Sequence, residues 1–352
     1  MIPARRRFVA AGAASLLAPP WTRLAYGQSS RSLTDSAGRT VVVPARIERI
    51  YAAGPPAGIL VFAVAPDKLL GWTNAWRDAE KPYIPARYLE LPVLGRMTGR
   101  GNTANVEVLL AARPDVIVDY GAVTPTYVSL AERVQAQTRI PYILLDGAFD
   151  RIAPAMEMVG TLAGTSASAA RLVRYTQEML ATLTQRIAQV PAQQRPRVYY
   201  ARGPNGLTTG LAGSINVEII ERVGARNAAA ELGGGGLVQV SFEQVVSWDP
   251  DVIITIDPNF FEEARRSALW RGLRAIRDGR IHLAPSVPYG WIDFPPSVNR
   301  LIGLHWLARI LYRERFTEDL RPLVREFYSL FYHQTPTDEQ LNRLLASDSR
   351  ER

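Results

Sequence analysis

Nine residues able to bind or polarise a ligand fall in loops that follow predicted β-strands. Aromatic and arginine side chains dominate this set, which comprises Pro55, Trp72, Trp76, Arg96, Tyr120, Arg202, Tyr289, Trp291 and Asp293. In open parallel sheets, ligands bind beyond the carboxyl ends of the strands, so these loops are the candidate binding site. Aromatic faces combined with a few guanidinium groups suit a bulky, partly apolar and often anionic ligand.

Two features weaken the case for individual members of this set. The only lysines are Lys68 and Lys81, so the 41 basic residues are nearly all arginine. This bias reduces the significance of Arg96 and Arg202 as residues selected to bind an anion. For Trp72 and Tyr289, the alternative role is simply to pack the interior of the lobes.

The sequence lacks the motifs of the common catalytic sites. It contains no cysteine, which excludes disulfides, thiol nucleophiles and thiolate metal sites. The three histidines, His282, His305 and His333, are far apart and form no metal-binding pair. No nucleophile elbow, Walker loop or strand-linked dinucleotide fingerprint is present, and the glycine run at 233–236 is typical of a plain loop. We therefore expect no catalytic residues, no resident metal and no cofactor.

A segment that occurs twice organises the chain around these loops. Residues 105–118 and 241–254 align without a gap, and each copy begins with a helix-capping residue followed two positions later by a glutamate, Glu107 or Glu243. Two turns of mostly apolar helix, a Pro-Asp break and a β-branched apolar run follow, and such a run is typical of a buried parallel strand. A unit with only two copies is not a solenoid repeat. It indicates two similar α/β lobes with a cleft between them.

One long helix is predicted between the two copies. The stretch from Thr165 to Val190 has neither glycine nor proline, and Pro191 ends it. At 1.5 Å per residue it would be about 39 Å long. The resulting division is an N-terminal lobe at 33–164, a connecting helix at 165–191, a C-terminal lobe at 195–312 and C-terminal helices at 313–352. Alternating short strands and helices predict α/β lobes built on parallel sheets.

Residues 1–27 predict an export signal of the twin-arginine type. Arginines at positions 5–7 precede Phe8-Val9 and a short apolar, small-residue stretch, with cleavage expected near Gly27. Without the four arginines of this segment the net charge falls from +8 to +4, which gives no support for a nucleic-acid partner. No cysteine is available for a lipid anchor, so we expect a protein that is free in the periplasm.

Together these features resemble the substrate-binding proteins of ABC importers, in the branch that binds iron siderophores, haem and cobalamin. The resemblance is carried by the repeated Glu…Pro-Asp-Val-Ile segments, the long central helix, the opening segment 33–50 and the stretch 289–303, and it covers about residues 33–312. It implies two Rossmann-like lobes joined by one rigid helix, with the ligand cleft between them. A rigid connecting helix in turn implies a largely preformed pocket and small lobe movement.

The same resemblance implies a partner. By matching position, Glu107 and Glu243 would contact arginines of the two subunits of an ABC permease dimer in the inner membrane, with this chain acting as a monomer. The alternative is that a carboxylate in the first turn only complements the helix dipole, an effect of about 0.3–1 kcal/mol.

The ligand is the least constrained part of the prediction. A ferric siderophore, a small-molecule iron chelate, comes first because aromatic and arginine side chains can line a wide cleft. Haem would need an axial ligand such as Tyr120 or Tyr289, cobalamin would suit the tryptophans, and molybdate or tungstate would need a narrow pocket with one or two arginines. A periplasmic enzyme with Asp293 as base is the alternative class, although no nucleophile–base pair supports it. A purely structural partner protein would not need a cleft.

Overall fold

The computed structural model describes residues 29–99, 101 and 106–346, so the predicted signal peptide and the capping residue Asn105 lie outside the described residues. The strands are β1 (Ser30–Thr34), β2 (Thr40–Pro44), β3 (Ile50–Ala52), β4 (Val116–Gly121), β5 (Tyr142–Asp146), β6 (Arg197–Ala201), β7 (Thr208–Gly210), β8 (Arg226–Asn227), β9 (Leu237–Gln239), β10 (Val252–Thr255) and β11 (Ile281–Leu283). The helices are α1 (Pro55–Val64), α2 (Ala86–Leu89), α3 (Val106–Ala112), α4 (Pro125–Thr138), α5 (Ile152–Ala163), α6 (Ser166–Ala188), α7 (Glu218–Arg222), α8 (Phe242–Trp248), α9 (Pro258–Arg266), α10 (Arg274–Arg277), α11 (Arg300–Leu311), α12 (Leu320–Phe331) and α13 (Asp338–Leu344).

Two separate parallel sheets form the centres of two lobes. The N-terminal sheet has the order β3-β4-β5, and the C-terminal sheet has the order β11-β10-β6-β8. Their central strands are buried on both faces, as expected where helices cover a parallel sheet. Antiparallel pairs β1-β2 and β7-β9 lie beside them. The predicted α/β fold class, with two parallel-sheet lobes, is confirmed.

Helix α6 passes from the first lobe to the second. Its 23 residues begin and end close to the predicted bounds. The buried stripe of Leu172, Met179, Leu183 and Ile187 belongs to one apolar core that also contains residues of both sheets. The helix is therefore packed along its length against both lobes and does not cross open solvent.

The two copies of the repeated segment have nearly the same structure. Each forms a seven-residue helix, α3 or α8, followed by a residue with positive φ, Arg113 at 46° or Asp249 at 37°, and then a buried strand. The aspartates of the Pro-Asp breaks, Asp115 and Asp251, both accept hydrogen bonds from the backbone N–H at the start of a neighbouring strand segment. The helix–break–strand prediction is confirmed in both copies.

Three further segments differ in how closely they follow their local sequence. The short apolar runs at 69–72 and 92–95 predict strands, but they form only isolated bridges, Ile50 with Leu69 and Trp72 with Val93. The sequence predicts a helix from Ser297, but α11 begins at Arg300, because residues 295–299 form an irregular turn beside the cleft. Thr337 followed three residues later by Gln340 predicts a capping box at the last helix, and this capping box is present. Among the described residues, no helix combines the length and apolar character needed to cross a membrane.

Candidate functional site

A cavity of about 400 Å³ lies at the carboxyl ends of strands from both lobes. Its N-terminal side comprises the first turn of α1, the segment 96–99 and the end of β4. Its C-terminal side comprises Arg202 after β6, the residues before α7 and the turn 293–296. Because both lobes supply walls, this cavity is the inter-lobe cleft that the repeat predicts.

Five of the nine predicted site residues line this cavity: Pro55, Arg96, Tyr120, Arg202 and Asp293. The structure brings them together from five separate segments of the chain. Trp72, Trp76, Tyr289 and Trp291 lie outside the cavity wall, so the predicted set divides into a cleft group and an aromatic group.

The aromatic group packs the N-terminal lobe against the C-terminal helices. The Trp72 and Trp76 rings are 4.6 Å apart, Trp76 lies 5.8 Å from Tyr289, and Tyr289 lies 5.4 Å from Tyr332 at the end of α12. Trp72 also donates a hydrogen bond from Nε1 to the carbonyl of Tyr88. These contacts occupy ring faces that a ligand would otherwise use, which supports the packing alternative for Trp72 and Tyr289. The Trp76 Nε1 and the Tyr289 hydroxyl are buried without a hydrogen-bond partner among the described residues.

Trp291 is fully buried, at 0% exposure, and its Nε1 lies 3.1 Å from the hydroxyl of Tyr328 in α12. Its side chain therefore anchors the turn 289–296 to α12. This contact helps to position Asp293, two residues further on, which lines the cavity.

A buried ion pair dominates the C-terminal wall of the cavity. Arg202 Nε lies 3.1 Å from Asp293 Oδ2, and the two side chains are only 8% and 1% exposed. Asp293 also accepts hydrogen bonds from the Tyr200 hydroxyl at 3.1 Å, Asn216 Nδ2 at 2.9 Å and its neighbour's backbone N–H at 2.7 Å. The carboxylate is thus saturated by protein donors, and it holds the guanidinium of Arg202 in place.

The hydrogen-bonding capacity of that guanidinium is only partly used. Arg202 Nη1 is buried and has no hydrogen-bond acceptor among the described residues. Leaving a buried donor unpaired costs about 1–3 kcal/mol. The rings of Tyr200 and Phe294 lie about 6 Å away, at the limit of cation–π attraction. Arg202 is therefore a charged residue of the cavity wall whose guanidinium the described residues leave incompletely hydrogen-bonded.

The N-terminal wall is built around Asp119, at the end of β4. Its carboxylate accepts hydrogen bonds from Thr98 Oγ1 at 3.0 Å, the Tyr142 hydroxyl at 3.1 Å and the backbone of Tyr120. Burial raises the pKa of Asp119 above its usual value. Gly54 allows the segment carrying Thr98 to approach, because a Cβ there would lie 2.4 Å from Thr98 Oγ1. Arg96 continues this wall and donates from Nε to the Gly101 carbonyl at 2.8 Å.

A second buried arginine joins the lobes behind the cavity. Arg300, fully buried, donates to the carbonyls of Gly147 in the first lobe and Ile215 in the second, and pairs with Glu218 at 3.1 Å. Glu218 accepts a hydrogen bond from the backbone N–H of Phe149 at 2.9 Å, and the Phe149 ring lies 4.3 Å from the Arg300 guanidinium. We call Arg300, Glu218, Gly147 and Phe149 the interlobe clamp.

The clamp and three cavity residues, Asn216, Phe294 and Thr98, are absent from the sequence-predicted set. One signal was available for Arg300: it begins a mostly apolar helix, where a buried arginine must find partners. No local pattern distinguishes Asn216 or Thr98 from ordinary loop residues. Within the described ranges, no group of three or more histidine or carboxylate side chains could hold a metal ion.

The two repeated glutamates lie on the surface, away from the cavity wall. Glu107 and Glu243 are both exposed, each in the first turn of its helix. Hydrogen bonds from its own backbone N–H and from Ser241 hold the pKa of Glu243 below its usual value, so it is ionised at neutral pH. Each lobe therefore presents one carboxylate at an equivalent position.

Comparison with known proteins agrees with this architecture. The sequence profile of a family described as "Periplasmic binding protein" matches residues 61–288. The molybdate-binding protein MolA of Haemophilus influenzae is 27% identical over 332 residues, covering 86% of this chain and 91% of that protein. The structure of MolA bound to molybdate superposes with a TM-score of 0.72 at 25% identity, over 87% of this chain and 99% of that one. An ABC transporter solute binding protein from Sulfurospirillum deleyianum gives a TM-score of 0.82 at 29% identity, over 90% and 99% of the two chains.

Proposed function

This chain belongs to the periplasmic binding protein family, and on that premise we propose that it captures a small oxyanion of the molybdate or tungstate type in the inter-lobe cavity. The coarser role follows from family membership: it is the substrate-binding component of an ABC importer, and its relatives are solute-binding proteins exported to the periplasm. The twin-arginine signal peptide stays a prediction.

The observation that carries the oxyanion proposal is the place of Arg202 in the cavity wall, with a guanidinium whose Nη1 has no acceptor among the described residues. An oxyanion supplies several acceptor oxygens and a charge that a guanidinium matches well. Arg96 adds a second positive charge to the same cavity. The molybdate ligand of the relative MolA supports the same class.

A ferric siderophore is the second candidate. Phe294 favours it, because this ring is 65% exposed beside Arg202 and could contact a chelate that extends out of the cavity. It ranks lower because four of the aromatic residues expected to line a wide cleft pack elsewhere. The volume of about 400 Å³ is also near the small end of the range for small-molecule pockets.

Titration calorimetry with molybdate, tungstate, sulfate, ferrichrome and ferric citrate tests the proposal. We expect molybdate or tungstate to bind, and Arg202→Met to weaken that binding by about a hundredfold or more, equivalent to roughly 3 kcal/mol for a charged hydrogen bond. Because Arg202→Met leaves Asp293 without its partner, the double variant Arg202→Met/Asp293→Asn serves to separate lost binding from lost folding. Arg265→Met, a surface change in α9, is the matched control. Tight binding of a ferric chelate, with none of the oxyanions bound, would overturn the proposal in favour of the siderophore.

We further propose that Glu107 and Glu243 dock the protein on its permease, one glutamate for each permease subunit. Their equivalent, exposed positions in the two copies support this role over simple complementation of the helix dipole. The double reversal Glu107→Arg/Glu243→Arg is expected to abolish transport and leave ligand affinity unchanged. Glu132→Arg/Glu263→Arg makes the same charge change on exposed helix positions of the two lobes and is expected to transport normally. A loss of ligand affinity in the first variant would contradict the docking role.

A further inference from the structure

Each copy of the repeated segment exposes an aliphatic side chain one helical turn after its glutamate. Leu110 is 48% exposed and Val246 is 47% exposed, whereas the preceding residues, Leu109 and Val245, are completely buried. Only seven large hydrophobic side chains are exposed among the described residues. Two of these seven side chains occupy the same position in the two copies of the repeat. This coincidence indicates that both copies need an exposed aliphatic residue there.

The aliphatic residue and the glutamate share one face of each helix. Residues three apart on a helix are neighbours, so Leu110 lies next to Glu107 and Val246 next to Glu243. A three-residue break separates each helix from the strand that follows it. In such an α/β unit the helix runs antiparallel to that strand. The first turns of α3 and α8 accordingly lie toward the carboxyl edges of the sheets, the edges at which the cavity lies. The two pairs thus stand on the cleft side of their lobes.

We propose that Leu110 and Val246 are the apolar half of the permease-docking surface, and that each lobe offers the permease a carboxylate and an aliphatic group side by side. This inference rests on the proposed docking role of the glutamates. The matching partner is a permease with two equivalent sites, each with a cationic side chain beside a shallow apolar depression. A second copy of this chain is a poorer match, because an isologous contact through these helices would bring carboxylates together.

The two halves of such a surface contribute differently. An exposed ion pair between glutamate and a partner cation orients the complex and accelerates association, and salt screens it. Burial of an aliphatic side chain depends on the apolar area removed from water and is insensitive to moderate salt. The aliphatic pair therefore supplies affinity that persists when the ionic contacts are screened.

The test measures binding to the cognate permease complex in lipid nanodiscs at about 0.05 M and 0.5 M salt. These concentrations lie below and above physiological ionic strength, at which the Debye length is about 8 Å. We expect Leu110→Ser/Val246→Ser to bind about tenfold more weakly at both salt concentrations. Val42→Ser/Leu269→Ser is the matched control, since these side chains are each 58% exposed, one in each lobe, outside the repeat. The control is expected to bind like the unsubstituted protein.

Three outcomes separate this inference from the proposals on which it rests. Unchanged permease binding in Leu110→Ser/Val246→Ser, with binding lost in Glu107→Arg/Glu243→Arg, overturns the apolar half alone. Unchanged binding in both variants overturns docking through α3 and α8 altogether. Molybdate affinity, measured by calorimetry on the same preparations, tests the cavity independently, and a loss of it in the serine variant would overturn the inference by showing an effect on the lobe itself.

Discussion

At the scale of single residues, the charged side chains of the cleft differ in how many of their hydrogen bonds the protein supplies. Asp293 receives hydrogen bonds from three protein donors and pairs with Arg202, whereas the Nη1 of Arg202 is buried without an acceptor among the described residues. A fixed carboxylate that orients an arginine with an unpaired donor is an arrangement that suits anion recognition. In the proposed site, Tyr200 and Asn216 would matter as well as the arginine, because they hold Asp293.

A buried histidine outside the cleft gives a prediction about pH. His305 in α11 is largely buried near Arg186 and Glu318, and burial lowers the pKa of His305 to about 4. The unfolded chain, with an ordinary pKa near 6.5, binds more protons than the folded protein between those values. Above about pH 6.5 this histidine therefore takes nothing from the free energy of unfolding, and the free energy of unfolding falls as the pH drops through this window.

We expect urea denaturation to show this loss directly. Between pH 7 and pH 5 the histidine would account for about 2 kcal/mol of the fall in unfolding free energy. His305→Gln cannot be protonated in this range, so the variant is expected to lose less stability than the unsubstituted protein by that amount. Equal losses in the two proteins would show that His305 is not the group responsible.

At the scale of elements, the close packing of α5 on α6 sets the position of the connecting helix. Gly160 in α5 faces Ala169 in α6, and a Cβ at Gly160 would lie only 2.4 Å from the Ala169 Cβ. Gly58 in α1 is also a helical glycine, but a Cβ there would meet Ala52 at an ordinary 3.8 Å. The close contact between α5 and α6 therefore requires a glycine at position 160, whereas the space around Gly58 would accept a Cβ.

This difference predicts opposite effects of the same substitution. Gly58→Ala is expected to stabilise the protein by up to about 1 kcal/mol, the difference in helix propensity. Gly160→Ala is expected to destabilise it by about 1–2 kcal/mol, because overpacking outweighs the propensity gain. The double variant Gly160→Ala/Ala169→Gly is expected to recover part of the loss, as measured by thermal and urea unfolding. A stabilising Gly160→Ala would contradict the tight contact.

The same elements show what local sequence could predict. The repeat and α6 were predicted closely because apolar periodicity, capping residues and the Pro-Asp breaks are local signals. The five residues of the cleft group were predicted because they follow predicted strands. Trp72 and Trp291 were grouped with them for the same reason, yet their partners come from α2 and α12, which no local pattern places beside them. Arg300 and Glu218 meet Gly147 and Phe149 only because the lobes meet, and that arrangement is a property of the whole chain.

At the scale of the whole molecule, α6 and the interlobe clamp connect the lobes at two places. The helix belongs to a core shared by both lobes, and the clamp joins them directly behind the cavity. Two separate connections resist hinge motion more strongly than one flexible linker does. Such a frame accounts for a cavity that is already formed in this structure, and we expect small-angle scattering curves to change little when a ligand is added.

The clamp can be tested against a second contact that crosses the lobes nearby. Arg222 and Asp150 form an ion pair at 3.1 Å, with exposures of 30% and 76%, whereas Arg300 in the clamp is fully buried. Glu218→Gln leaves Arg300 without its counter-charge and is expected to cost about 2–3 kcal/mol, somewhat less than removing a partner from a fully buried pair because Glu218 is 27% exposed. Arg222→Gln/Asp150→Asn, the exposed control, is expected to cost no more than about 1 kcal/mol.

If the clamp also sets the geometry of the cleft, spin labels on the two lobes will show a broader distance distribution in Glu218→Gln than in the control, and molybdate affinity will fall in parallel. A stability loss with an unchanged distance distribution would instead mean that the clamp stabilises the fold without positioning the lobes, and the preformed cleft would then be attributable to α6 alone.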